Sequence, residues 1–95
     1  MDNQHRKING YRELGAVDIA LMNDIKSLGP QIEALCARVT RHLIEQQEAA
    51  VRAAGIAENR RLENAEPHHW VRLGATHLQQ GLMALTRAVA QPEFF

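Results

Sequence analysis

The sequence predicts an all-α protein: a short N-terminal segment, then an antiparallel hairpin of two long helices, the first kinked near Gly29–Pro30. Three observations predict it. Ile25, Leu28, Ile32, Leu35 and Val39 recur at steps of three and four, with Leu43 extending the series, a heptad-like spacing that no strand produces. Trp70, Leu73, Leu78, Leu82, Leu85 and Val89 form a second apolar stripe. One Trp, one Tyr and two Phe among 95 residues leave the core to Leu, Ile, Val and Ala, which pack as stripes along helices.

The first helix reads from Val17 to about Ala54, with Ile19, Leu21 and Met22 entering early. Asp18 near its start and Arg38 and Arg41 further on suit the helix dipole only loosely. Pro30 lies inside it, where its ring crowds the carbonyl of Lys26 and a backbone bond is lost, at ~3 kcal/mol or more. The stripe keeps its phase across Pro30, so the residue predicts a kink rather than a stop. Gly29 either lets the helix bend around its own core or leaves a bare stretch of backbone that a partner can approach.

Gly55 predicts a C-cap and residues 55–64 a linker, with a frayed helical continuation from Gly55 to Arg61 as the alternative. Asn64 to Pro67 reads as a new start: an Asn cap, an acid in the first turn, and a proline whose missing donor does no harm. Gln91–Pro92 ends the second helix, and Phe94 and Phe95 follow as exposed rings. The first helix, ~37 residues and ~55 Å long at 1.5 Å per residue, outruns its partner of about 25 residues. Two such helices cannot bury both stripes, which predicts a homo-oligomer.

The length allows one domain, residues 1–95. Eleven Lys and Arg balance eleven Asp and Glu, which argues against a general nucleic-acid binder such as a DNA-binding protein. Any polyanion site must be local. Cys36 is the one cysteine, so no intramolecular disulfide forms; beside the apolar stripe it reads as a buried, inert thiol that fits a reducing compartment. The stretch MDNQHRK is polar with no apolar run after it, so no signal peptide is expected. No stretch approaches the ~20 apolar residues of a membrane span. A cytosolic protein that does not bind membranes is expected.

No spacing of nucleophile and base, no paired carboxylates and no glycine-rich phosphate loop stands out, so neither enzyme activity nor a cofactor is expected. His69 and His77 share a helix face but lie ~12 Å apart along the axis, too far for one tetrahedral ion. No metal is expected, and His68, His69 and His77 read as capping, surface or interface residues.

The stretch HRKINGYRELG is different. Tyr11, the one tyrosine, sits between Gly10 and Gly15 beside Arg6, Lys7 and Arg12. Such a ring can stack on a nucleobase while the cations hold phosphate, or it can pack against another protomer. Lys26 is either a solvated lysine or a second phosphate contact.

Three stretches, NQHRKINGYREL, ALMNDIKSLG and W…THLQQGLMALTRAVAQP, make the chain resemble the phage anti-CBASS type 2 sponges, whose hairpin domain is shared with Thoeris anti-defence sponges. CBASS is the bacterial cyclic-oligonucleotide-based antiphage signalling system. The resemblance covers the first 30 and last 26 residues. It implies a phage immune-evasion protein in the host cytoplasm that sequesters cyclic dinucleotides such as 3′,3′-cyclic GMP-AMP without cleaving them. It also implies an interlocked homohexamer with pockets between protomers. By the same resemblance Tyr11 stacks on the bases and Lys26 contacts the phosphodiester ring, with Arg12 and Arg87 as neighbouring candidates. Some members hold cyclic trinucleotides in a second pocket through an arginine just before the tryptophan. Here His69 stands in that place, and a neutral histidine is a weaker phosphate partner.

A sponge fits the residue-level reading. A cyclic dinucleotide has two negative charges and near-twofold symmetry, so a pocket on a protomer dyad offers each cation twice. The alternative is a helical oligomerisation or adaptor module that binds a host or phage protein through its apolar seam.

Overall fold

The structure, a computed structural model, describes residues 12–93, and every element among them is helical. Helix α1 spans Ala16–Arg52, α2 spans Ile56–Ala65 and α3 spans Pro67–Ala90. The expected all-α fold class is the observed one. Pro30 lies within α1 and does not end it. Tyr11, Phe94 and Phe95 lie outside the described residues.

The chain divides into two compact units, residues 1–29 with 79–95, and residues 30–78. The division within α1 falls between Gly29 and Pro30. In the first unit the opening stretch of α1 pairs with the closing stretch of α3. In the second, the rest of α1 meets α2 and the start of α3. Each unit is an antiparallel helical pairing.

Two corrections concern the connections. The expected linker at 55–64 is instead α2. Helix α1 ends at Arg52, and its left-handed cap falls one residue before the expected one: Ala54 takes the left-handed conformation (φ 51°), while Gly55 is extended (φ −82°) and opens α2. Two hydrogen bonds close the turn, from the Gly55 N–H to the Ala50 carbonyl (3.2 Å) and from the Ala54 N–H to the Val51 carbonyl (3.0 Å). This is a Schellman motif with alanine where glycine is favoured. The Asn59 amide locks it, donating to the carbonyls of Ala50 (3.1 Å) and Gly55 (2.7 Å).

The second correction is Asn64, which caps nothing and lies inside α2. The break falls at left-handed Glu66 (φ 49°), whose N–H donates to Leu62. Pro67 disfavours the right-handed helical region for the residue before it, so the turn is made there and α3 starts at the proline. Gln91 (φ 51°) ends α3 in the same way, its N–H donating 2.8 Å to the Arg87 carbonyl before Pro92.

Burial is shallow. Among the described residues only Ala50 and Ala90 are buried hydrophobics. Ile25, Ile32 and Leu43 of the expected α1 stripe are half-buried, and Cys36 is half-buried rather than enclosed. Leu28, Leu35 and Val39 are exposed, and so are Trp70, Leu78 and Leu85 of α3. Of the heptad-spaced pairs, Ile25 and Ile32 are partly covered and Leu28 and Leu35 are not, while Val39, seven residues beyond Ile32, is exposed as well.

Candidate functional site

The first unit contains an open groove of about 830 Å³. Met22, Ile25 and Lys26 reach it from α1, and Leu82, Met83 and Arg87 from α3. Residues three and four apart share a helix face, so each helix presents a cation beside apolar neighbours. Two cations far apart in sequence thus line one concavity with apolar walls. Lys26 is exposed and makes no hydrogen bond or ion pair among the described residues. Arg87 is exposed yet engaged in an interaction. Asn23 and Thr86 also line the groove and were missed in the sequence; Asn23 precedes Lys26 by three positions, and that spacing is the signal for it.

Gly29 lines the groove as well. Nothing lies within 4 Å of the position its Cβ would take. Glycine inside a helix costs about 1 kcal/mol relative to alanine. It spares Pro30 a clash with the preceding Cβ, and it leaves the α1 backbone open to close approach.

Arg12 does not line the groove. Its Nη2 donates to the Val89 carbonyl at 2.8 Å and pairs with Asp18 Oδ1, also at 2.8 Å. The other oxygen of Asp18 accepts from the Gly15 N–H at 3.0 Å. This is half of a capping box, a carboxylate in the first turn of α1 reaching back to the residue before the helix. The Arg12 hydrogen bond, then that of Gly15, holds the Asp18 carboxyl below its ordinary pKa. The Val89 carbonyl is one of the last in α3, where carbonyls lack intrahelical partners and the dipole is negative. Arg12 therefore caps the end of α3.

The second unit has its own pocket, of about 520 Å³. Asn59, Glu63, His68, His69 and Arg72 are among its lining residues. The His69 ring stands edge-on to Trp70, centroids 5.3 Å apart at 72°. Arg72, one turn beyond His69, was not singled out in the sequence, although the three-residue spacing places it on the same face. The structure thus brings Lys26 and Arg87 together, sets Arg12 outside their groove, and puts His69 in a separate pocket.

The family model described as the Acb2/Tad1 hairpin domain matches residues 3–90. The chain belongs to the Acb2/Tad1 hairpin-domain family. This hairpin domain is 45% identical to Anti-CBASS protein 2 of Pseudomonas phage JBD67 over a 106-residue alignment covering 98% of each chain. Every candidate discussed above, from Tyr11 to Arg87, falls inside the span matched by the Acb2/Tad1 hairpin model. No helix among the described residues of this hairpin protein is long and apolar enough to cross a membrane.

Proposed function

We propose that the chain is a phage immune-evasion protein that binds cyclic dinucleotide messengers, 3′,3′-cyclic GMP-AMP among them, and withholds them uncleaved from the host CBASS effector. The observation that carries this reading is the groove lined by both Lys26 and Arg87. Its two cations suit a dianion, its apolar walls suit purine faces, and its volume lies in the range of small-ligand sites. Lys26 meets the phosphodiester ring, Arg87 stands beside it, and Tyr11 stacks on a base at ~1–3 kcal/mol. The relative's name, Anti-CBASS protein 2, supports the pathway. Sequestration acts by mass action alone and requires no chemistry.

The site works in the cytoplasm of the infected host, within a homo-oligomer for which a hexamer is the reading. The exposed Leu21 and Leu28 of the first unit support assembly, since a second copy would cover them. The pocket holding His69 and Arg72 is the place for cyclic trinucleotides.

Isothermal titration of the full chain with cyclic dinucleotides tests the reading. Heat of association, a loss of at least tenfold in Lys26→Ala, and recovery of intact ligand after denaturation are expected. Recovery of a linear product would replace the sponge with a phosphodiesterase. The uncovered leucines favour a second reading, an adaptor for a host or phage protein, and complete absence of nucleotide binding would favour it.

A further inference from the structure

We infer that Arg12 is a positioning residue of the nucleotide site rather than a phosphate ligand: with Asp18, it latches the chain ahead of α1 to the last turn of α3. The inference rests on the sponge reading of the groove. Nη2 of Arg12 is committed to the Val89 carbonyl and to Asp18. Its Nε is enclosed and has no partner among the described residues. With both hydrogens of Nη2 engaged and Nε enclosed, the guanidinium has no forked edge to offer a phosphate unless Asp18 or Val89 gives way. The last turn of α3 is also groove wall, because Arg87 and Ala90 line the groove on either side of Val89 along the chain. Arg12 thus ties residues 12–15, ahead of α1, to that wall. Holding this end of the groove wall in place before ligand arrives lowers the entropy cost of binding. Its forked guanidinium can serve a carbonyl and a carboxylate at once, a geometry that a lysine ammonium matches poorly.

Electrostatics and the latch predict opposite signs for one substitution. If Arg12 gripped phosphate directly, removing Asp18 would free the guanidinium and take a negative charge away from a dianion, so binding would tighten. If Arg12 is a latch, removing Asp18 weakens binding.

The experiment is titration of the full chain with 3′,3′-cyclic GMP-AMP, comparing wild type, Arg12→Ala, Asp18→Ala and the double variant well below their melting temperatures. Each single variant is expected to bind about tenfold more weakly, and the double no worse than Arg12→Ala alone. The salt dependence of binding stays at the wild-type slope, because no phosphate contact is lost. Asp18→Asn, which keeps an acceptor for the Gly15 N–H, replaces Asp18→Ala if circular dichroism shows lost helix. Unchanged or tighter binding in the Asp18 variant, a flattened salt slope in Arg12→Ala, or wild-type affinity in Arg12→Ala overturns the inference while leaving the sponge intact. A wild-type chain that binds no cyclic dinucleotide overturns both.

Discussion

Arg12 and Val89 stand 77 positions apart in the chain, yet a 2.8 Å hydrogen bond joins the guanidinium of one to the carbonyl of the other. The same nitrogen pairs with Asp18 in the first turn of α1. A cation at the negative end of one helix therefore also meets a carboxylate at the positive end of another, and both dipoles gain.

This contact makes the fold sensitive to acid. Asp18 is held below its ordinary value of 3.8, first by Arg12 and then by the Gly15 N–H. Its folded pKa is below its unfolded one, so its contribution is complete above the ordinary carboxylate range and is lost as pH falls through the folded value. Glu58, lowered chiefly by its hydrogen bond from Arg61, has the same sign. Thermal melts from pH 6 to 2 should show wild type losing melting temperature more steeply than Asp18→Asn. Parallel curves would mean that the pair contributes nothing.

The turn after α1 carries a correctable strain. Ala54 occupies the left-handed region, which disfavours a side chain by about 1–2 kcal/mol. Part of the gain from glycine is lost to unfolded-chain entropy, so Ala54→Gly should stabilise by up to about 1 kcal/mol. That is a rise of several degrees for a domain of this size. Gly55→Ala should change little, since φ is −82° and the nearest atom to an added Cβ is 3.6 Å away. Calorimetry on both variants checks the assignment, and a drop in Ala54→Gly would contradict it.

Leu21, Leu28 and Leu35 repeat every seven residues and are 47%, 42% and 51% exposed. Leu21→Glu combined with Leu28→Glu should reduce the proposed homo-oligomer to monomers in light scattering, while α1 keeps its helicity. A particle mass equal to wild type would place the interface elsewhere.

His69 lines the second pocket one turn from Arg72. His69→Arg supplies a permanent cation and a planar fork for phosphate. Affinity for a cyclic trinucleotide should rise roughly tenfold, about 1.4 kcal/mol, with dinucleotide affinity unchanged. A gain for both ligands, or for neither, would separate His69 from trinucleotide recognition.

Much of this protein was readable from residue order. Three–four spacing announced the long helices, Pro67 announced the start of α3, and Pro92 its end, because these signals act within one or two turns of chain. The turns themselves were less legible. Gly55 promised a cap that Ala54 makes, and Asn64 promised a start that Glu66 makes, since a proline or a hydrogen-bonded loop can shift a break by a residue or two.

Which apolar row would be covered was not written in the spacing. Ile25 with Ile32 and Leu28 with Leu35 are equally periodic, and the rotation of α1 against its neighbour chose the first pair. The same packing brought Arg87 beside Lys26 and turned Arg12 toward Asp18 and Val89. Local periodicity builds a helix, but contacts between residues distant in the chain depend on how helices meet, and that is settled only when the side chains pack.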